Sequence, residues 1–332
     1  MVGGSGRVRQ GGSVKLRTSE PALGERALGL VLGALADAVL GDPQRWHPVA
    51  GFGQLAAVLE RLAWADSRAR GVAYVGACVG VPVAVGVVAE RFAPRGAPRV
   101  LVTAVCTWAV LGGRSLAHEA AVMAALLERG DVVAGRRRLS HLAGRDAADL
   151  DVDDLARASV ESVAENTSDA VVAPLLWGAV AGVPGLLGYR AANTLDAMVG
   201  HRTPRYVRFG WAAARLDDLA NLAPARVAAL LTAAWAPVVG GRPVAALRVW
   251  RRDAHQHPSP NAGPVESAFA GALGVRLGGN NVYDGRAEQR GTLGDGPAAG
   301  VHDLPRAVRL AVAVDVAAVA GAAVLAWALN RR

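Results

Sequence analysis

The chain has 332 residues and a mean hydropathy of +0.26, with 52% hydrophobic and only 19% charged residues. A soluble domain carries roughly 25% charged residues, so this composition predicts an integral membrane protein. The net charge of +8 comes from arginines scattered between apolar runs and aromatic residues are only 5%, so we expect no nucleic-acid binding; anionic lipid headgroups or an anionic substrate fit this pattern better.

Lysine and cysteine are too scarce for several familiar kinds of site. Lys15, the single lysine, lies in a Gly-rich stretch, which argues against a P-loop lysine or a Schiff-base lysine. Cys78 and Cys106 lie within apolar runs, too few and too badly placed for a disulfide framework or a metal site. Any phosphate must therefore be held by arginines and a metal ion.

Six apolar runs dominate the chain after its amino terminus. Residues 1–22 are rich in Gly, Ser and Arg and are predicted to form a disordered extension, followed by one membrane domain over residues 23–332. The runs lie at 27–40, 72–89, 100–111, 170–187, 227–239 and 310–329. Because a helix needs about 20 apolar residues to cross a bilayer, we expect an all-α, polytopic membrane protein with about 4–6 transmembrane helices and long polar loops.

The fourth run, 170–187, is interrupted by prolines and glycines, which favours a broken helix that lines a cavity. If all six runs cross, the loops 41–71, 112–169 and 240–309 share one face, and their basic residues place that face in the cytoplasm. The same count puts the polar residues before and after the fourth run on opposite faces. A re-entrant fourth run would instead bring them to one face.

Asp42 and His47 follow the first apolar run directly, in Gly41-Asp42-Pro43-Gln44-Arg45-Trp46-His47-Pro48. A turn with an interfacial Trp anchor explains this segment, but the carboxylate and imidazole are also candidate substrate ligands at the membrane edge. Asp37 lies inside the run itself, and an ionisable residue within a span is a functional hypothesis by default.

Arg145 belongs to a polar stretch that also contains Arg136-Arg137-Arg138. The triple arginine is typical of a solvated basic helix. The planar guanidinium of Arg145 is well shaped to meet phosphate, which makes it a candidate substrate residue.

Glu161, Glu165 and Asp169 are spaced by four residues. In a helix they would stack on one face and repel one another, so they require a cation or a substrate opposite them. Capping of a helix end accounts for one or two polar residues here but not for the row. Carboxylate oxygens suit Mg²⁺, which keeps several waters and bridges to substrate phosphates. We therefore predict that these three residues hold a metal.

Two polar helix faces flank the region after the fourth run. They comprise Arg190, Asn193 and Asp196, and then Arg215, Asp218 and Asn221 with Asp217 alongside. Each set could be an internally neutralised surface, worth only tenths of a kcal/mol per pair. Because both sets adjoin the same apolar element, we expect them to form the walls of one pocket.

A proline-rich loop presents His257, Ser259 and Asn261 from a backbone that its prolines preset. His255 and His257 form an H-x-H pair, which is weak evidence for zinc because no third ligand lies nearby.

Five motifs carry a family resemblance when they are read together. They are Gly41-Asp42-Pro43 with His47-Pro48; Glu161-x-x-Ala164-Glu165-Asn166-Thr167-Ser168-Asp169; Tyr189-Arg190-Ala191-x-Asn193-Thr194-Leu195-Asp196-x-Met198-Val199-Gly200; Ala214-Arg215-Leu216-Asp217-Asp218 with Asn221 and Pro224-Ala225-Arg226; and Ser259-Pro260-Asn261-Ala262-Gly263. In this order, over residues 27–329, they closely resemble the CobD/CbiB family of cobalamin-biosynthesis membrane proteins, called adenosylcobinamide-phosphate synthases.

The resemblance implies that aminopropanol, or its O-phosphate, is joined to a propionate carboxyl of adenosylcobyric acid in an ATP- and Mg²⁺-dependent amide ligation. A carboxylate is a poor acyl donor, so activation as an acyl phosphate is the natural route. It further implies a multi-pass protein of the cell (inner) membrane, with the lipid bilayer and other corrinoid-pathway proteins as partners.

Under this interpretation each candidate residue has a role. His257 or Asp218 takes the proton of the attacking amine, and Asp217 and Arg215 complete the catalytic set; Glu161, Glu165 and Asp169 hold Mg²⁺; and Asp42, His47, Arg145, Arg190, Asn193, Asp196, Asn221, Ser259 and Asn261 bind substrate. Two other interpretations stay open. A small-molecule transporter would move substrate without consuming ATP, and a non-catalytic AmpE-like membrane regulator would tolerate loss of the carboxylates.

Overall fold

The computed structural model describes residues 24–42, 47–142, 147–283 and 286–331. The predicted extension at 1–22 lies outside these ranges. Twelve α-helices and one antiparallel β-hairpin make up the described part. The helices are α1 Glu25–Leu40, α2 Pro48–Ala63, α3 Arg68–Phe92, α4 Ala97–Val110, α5 Gly113–Glu128, α6 Val132–Leu139, α7 Val152–Thr167, α8 Ala173–Val199, α9 Trp211–Trp235, α10 Pro243–Asp253, α11 Ala262–Leu273 and α12 Asp303–Asn330; the strands are β1 Leu277–Tyr283 and β2 Arg286–Leu293.

The predicted all-α membrane fold is confirmed, and every one of the six apolar runs is helical. Five helical segments are long and apolar enough to cross a membrane: Arg68–Phe92, Ala97–Glu128, Val152–Val199, Trp211–Val239 and Asp303–Asn330. The first apolar run forms α1, whose 16 residues are about 24 Å long at 1.5 Å per residue.

The fourth apolar run folds into a helical hairpin. Its first arm continues from α7 through a π-helical segment, Ser168–Val172, into α8. The helix then breaks at Gly182, whose φ of 67° and ψ of −150° strongly favour glycine, and Pro184 starts the second arm. The arms pack so closely that a Cβ on Gly185 would collide with the carbonyl oxygen of Trp177. The chain therefore returns to the side from which it came, as in the re-entrant alternative.

Two charged side chains cap the tip of this hairpin. Arg26 of α1 donates to the carbonyl oxygens of Ala179 and Val180, both at 3.3 Å, where the first arm ends. Glu90 of α3 accepts the backbone N–H of Val183 at 2.8 Å, where the second arm begins. Cations suit helix carboxyl ends and anions suit amino ends, so each charge offsets one exposed helix terminus.

The two sides of the bundle can be named from these contacts. On the tip side, the hairpin tip meets Arg26, and the amino end of α1 lies beside Asn330 at the end of α12. On the opposite side, which we call the pocket side, Trp108 of α4 donates to the carbonyl oxygen of Gly41 at 3.0 Å. Among the described helices, α1, α3, α4 and α12 run from one side to the other.

Helix α9 starts and finishes on the pocket side although it is long enough to cross. Its first residues pack on Val199, at the end of the second hairpin arm. Just after it, the carbonyl oxygen of Val239 accepts from Arg306 in the first turn of α12 at 3.1 Å. Arg306 also donates to Leu273 at the end of α11, at 2.9 Å. Helix α11 is buried along its whole length on this side.

Candidate active site

A cavity of about 190 Å³ lies on the pocket side, where both hairpin arms, α9 and the amino end of α11 meet. Its lining is dominated by acidic and other polar groups: Glu165, Ser168, Asp169, Asp196, Asp217, Asp218, Asn221, Ser259, Asn261, Ala262 and Val265. We call this cavity the acidic pocket. Five carboxylates in so small a volume repel one another strongly, so the pocket is suited to a cationic ligand.

The hairpin brings residues far apart in sequence into contact at the acidic pocket. Asn193 on the second arm donates from Nδ2 to Asp169 Oδ2 on the first arm, at 3.3 Å. The same amide nitrogen lies 3.3 Å from Oδ1 of Asp217 on α9 and donates to it. Asn193 therefore fixes one oxygen of each of two carboxylates. The two polar helix faces, on the second arm and on α9, meet at one pocket as expected.

Tyr189 and Asn221 also fix the positions of Asp169 and Asp217 through hydrogen bonds. The hydroxyl of Tyr189 donates to Asn221 Oδ1 at 2.8 Å and also lies 3.2 Å from the carbonyl oxygen of Asp169. Asn221 in turn donates to Asp217 Oδ2 at 3.0 Å. Asp217 thus accepts an amide hydrogen on each oxygen, which fixes its orientation.

Glu161 does not line the acidic pocket, contrary to the expected row of three carboxylates. It is 1% exposed, and it accepts from the backbone N–H of Gly278 at 2.8 Å and from Arg157 at 3.3 Å. Glu165 and Asp169, at the carboxyl end of α7 and the start of the π-helical segment Ser168–Val172, line the pocket. Glu161 lies one turn earlier in α7, where it meets the backbone of strand β1 instead.

The proline-rich loop forms the outer wall through hydrogen bonds of its own. Ser259 Oγ accepts the backbone N–H groups of Asn261 and Ala262, at 3.3 and 3.2 Å, as a cap for α11. Asn261 donates to the carbonyl oxygen of Asp218 and accepts from Arg226, both at 2.8 Å. Both ends of the Asn261 amide are thus engaged with α9, so this residue ties the loop to the helix.

His257 does not face the acidic pocket, so the structure does not support it as the base. Its side chain is 1% exposed, and its Nε2 lies 3.6 Å from Oε1 of Glu266, which is fully buried. Its Nδ1 accepts the backbone N–H of Ser259 at 3.0 Å, so the ring proton belongs on Nε2, facing the carboxylate. The contact between His257 and Glu266 therefore helps to orient the proline-rich loop from its buried side.

The predicted phosphate-binding arginines lie in different places. Arg215 is on the outer rim, exposed, with Nη1 3.4 Å from Asp218 Oδ2. Arg190 points inward from the second arm, and its buried Nε has no hydrogen-bond partner in the described ranges. Arg145 lies outside the described residues, so its role stays a prediction.

Asp42 and His47 sit beside the site without lining the pocket. Nδ1 of His47 accepts the backbone N–H of Val49 at 3.1 Å and so caps α2, while its Nε2 lies 3.6 Å from Asp42. Asp42 also lies within electrostatic range of Arg190. The two residues are therefore neighbours of the pocket rather than part of its surface.

The donor set of the acidic pocket fits Mg²⁺. Carboxylate, amide and hydroxyl oxygens are the ligands of this hard cation, which takes only one or two carboxylates directly and keeps several waters. Across the described ranges, no three His, Cys, Asp or Glu side chains converge closely enough to form a ready-made metal cage. Glu165 and Asp169 are the residues that would hold the ion, with water and substrate oxygens completing its shell.

Sequence reasoning missed three supporting residues: Glu266, Arg226 and Tyr189. Arg226 and Tyr189 were visible inside motifs, but nothing in their spacing showed that they orient Asn261 and Asn221. Glu266 gave a signal of another kind, since a carboxylate in an otherwise apolar helix must find a partner. That partner is His257, which the sequence predicts to be a catalytic base.

Comparisons with known proteins agree with the motifs. The chain matches the family model described as CobD/Cbib protein over residues 30–311. A relative from Mycobacterium tuberculosis (strain ATCC 25618 / H37Rv), named Cobalamin biosynthesis protein CobD, is 56% identical over 307 residues, covering 92% of this chain and 96% of the relative. Proteins of the same name from Geobacter metallireducens and Rhodobacter capsulatus are 46% and 44% identical, each covering 84% of the relative and 79% and 80% of this chain. No solved structure matches the chain.

Proposed function

The chain belongs to the CobD/CbiB family and acts in cobalamin biosynthesis, and we propose that it is an ATP- and Mg²⁺-dependent amide ligase of the cell (inner) membrane. Its substrates are adenosylcobyric acid and either aminopropanol or aminopropanol O-phosphate. The new amide joins the amine to a propionate carboxyl and gives adenosylcobinamide or its phosphate.

The acidic pocket is the observation that carries this proposal. Aminopropanol is a small cation at neutral pH, and nucleotide phosphates are accompanied by Mg²⁺, so a cavity lined by five carboxylates suits the ammonium group and the metal ion. The pocket also adjoins the apolar bundle, which suits a large corrinoid that meets the enzyme at a membrane surface.

Chemically, the corrinoid carboxylate first attacks the terminal phosphate of ATP, giving an acyl phosphate and ADP. The amine nitrogen then attacks the acyl carbon of this acyl phosphate. The bond between that carbon and the phosphate oxygen breaks, and inorganic phosphate leaves. Mg²⁺ supplies charge neutralisation for the transferring phosphoryl group. Glu165 and Asp169 would hold the Mg²⁺ ion at the pocket, and Arg190 and Arg215 offer guanidinium groups for phosphate.

Asp218 is the better of the two proposed bases. The ammonium form of the amine must lose a proton before it can attack, and a carboxylate on the pocket surface can take it. Asp218 lines the pocket, whereas His257 is buried against Glu266. Asp196 and Asp217 remain to hold the amine near the reacting carbon.

Purified full-length protein in detergent tests the proposal. Adenosylcobyric acid is followed by mass spectrometry with aminopropanol or its phosphate, with and without ATP and Mg²⁺. Product that forms only with both supports the ligase and identifies the amine. Folded protein that binds the corrinoid without forming product contradicts a self-sufficient ligase, and absence of corrinoid binding favours the regulator.

A further inference from the structure

Two ionisable residues lie in apolar helices outside the acidic pocket. Asp37 is the single ionisable residue of the apolar run 27–40, and Asp315 is the single one of the run 310–329. Ionisable groups at such positions are costly and mark functional sites by default. Neither residue has a part in the ligation proposed above.

The structure brings these two carboxylates together across the amino end of α5. A Cβ added to Gly113 would lie 3.3 Å from Oδ2 of Asp37 and 3.3 Å from Oδ2 of Asp315. Both side chains therefore reach the same space beside Gly113.

Their hydrogen bonding is incomplete. Asp37 is only 5% exposed; its Oδ2 accepts the backbone N–H of Arg114 at 3.3 Å, but its Oδ1 has no partner among the described residues. The buried Oδ1 of Asp315 likewise lacks one. A buried oxygen without a donor is strongly disfavoured, so each points to a ligand.

The charges around the pair allow one additional positive charge. The amino end of α5 favours a single anion, and near Asp37 the side chain of Arg114 adds one positive charge and that of Asp42 one negative charge. Two carboxylates without a counter-charge would repel in this apolar setting. A divalent ion would need more ligands, and the described chain offers no group of three acidic, His or Cys side chains for one.

We propose that Asp37 and Asp315 together bind one monovalent cation, either Na⁺ or a proton, inside the helix bundle. The site is separate from the acidic pocket, and the π-helical segment Ser168–Val172 lies between the two. Val171 of the π-helical segment would lie 3.2 Å from a Cβ on Gly113, while Ser168 and Asp169 of the same stretch line the pocket. Occupancy of the cation site therefore supports the segment that positions Asp169.

Thermal unfolding of full-length protein in detergent tests this inference without any activity assay. The midpoint is measured from acidic to alkaline pH, in NaCl or in N-methylglucamine chloride of equal ionic strength. For Na⁺ binding, the wild-type midpoint rises with Na⁺ concentration. For a shared proton, it falls as pH rises whatever the salt, because the folded state holds the proton more tightly than the unfolded chain.

Asp315→Asn should lose the Na⁺ dependence or, for a shared proton, should show a smaller decline with pH than the wild type, since the carboxylates of the acidic pocket add the same pH dependence to both proteins. Its midpoint at alkaline pH without Na⁺ should equal or exceed that of the wild type. Asp149→Asn, at an exposed acidic residue, is the matched control and should keep the wild-type response. Asp37→Asn and Gly113→Ala provide the same comparison where Asp315→Asn does not fold. A wild type insensitive to both Na⁺ and pH, or variants that retain its full response, would overturn the proposal.

Discussion

Glu165 and Asp169 are the two carboxylates that we assign to Mg²⁺, and each can be neutralised without changing its size. We expect Glu165→Gln or Asp169→Asn to lower turnover on the order of 100-fold, since charge stabilisation of the transferring phosphate is lost. Steady-state ligation at saturating ATP measures this. Glu128→Gln, at an exposed glutamate of α5, is the control. Wild-type turnover in both pocket variants would remove the metal assignment.

His257 is predicted to position the loop rather than to exchange protons with substrate. Asn at this position can still accept the N–H of Ser259, which His257 now does at 3.0 Å. We therefore expect His257→Asn to lower the unfolding midpoint, because Glu266 loses its contact with the imidazole, while the pH dependence of kcat keeps its shape. Loss of the acidic limb of the pH–rate profile in this variant would instead restore His257 as the base.

At the scale of elements, the hairpin tip sets how the two arms align. A Cβ on Gly182 would collide with Glu90 Oε1, and the backbone there is one that only glycine adopts readily. We expect Gly182→Ala to destabilise the protein by about 1–3 kcal/mol and to reduce activity, since Asn193 no longer meets Asp169. Gly321→Ala, where an added Cβ meets open space on α12, should be neutral or stabilising in the same unfolding assay.

Asp253 joins the end of α10 to the end of β2, outside the candidate spans. Arg252 donates to both of its oxygens at 2.6 and 2.7 Å, and the N–H of Gly294 adds a third bond. These bonds, with Arg252 contributing most, lower the pKa of Asp253. The unfolded chain binds the proton more tightly, so this stabilisation is present above the ordinary carboxyl pKa and is lost as pH falls through the folded one.

We therefore expect Asp253→Asn to lower the unfolding midpoint at neutral pH and to flatten its decline below about pH 4. Asp295→Asn removes the exposed second partner of Arg252 and is the matched control, with a smaller effect at neutral pH. Identical pH profiles for wild type and Asp253→Asn would contradict the assignment.

The acidic pocket shows which parts of a site a sequence predicts. Asp169, Asp196 and Asp217 were foreseen because carboxylates beside apolar sequence need a cation wherever the chain folds. Glu161 and His257 were misplaced because their contacts with Gly278 and Glu266 are tertiary features, which helical spacing does not contain. Spacing thus predicted most of the carboxylates of the pocket, and their chemical roles stay predictions.

For the whole molecule, apolar length predicted the helices but not their paths. Helix α9 is long and apolar, yet it begins beside Val199 and ends beside Arg306, both on the pocket side. The apolar runs did not predict helices α5, α10 and α11, because these helices are too short to form long apolar runs. Once the hairpin returns the chain, the polar motifs in the described residues lie on one side, and from the basic loops we predict that this side faces the cytoplasm.

Single-cysteine labelling tests this topology. Cys78 is buried, so replacing Cys106 with Ala gives a variant without an accessible native thiol. Into this variant we introduce Arg95→Cys, Asp149→Cys and Arg202→Cys, one at a time, at exposed positions. Arg95 lies on the tip side, and Asp149 precedes the first hairpin arm. Because the hairpin returns the chain, Arg202 should share the pocket side with Asp149.

We expect a membrane-impermeant thiol reagent applied to intact cells to label Arg95→Cys alone, and lysed cells to label all three. The decisive comparison is Arg202→Cys with Asp149→Cys. A fourth run that crossed the bilayer would separate them by the full ~30 Å of hydrocarbon and expose Arg202→Cys outside. In that event Asp169 and Asn193 could not share one pocket, and the acidic site would fail together with the topology.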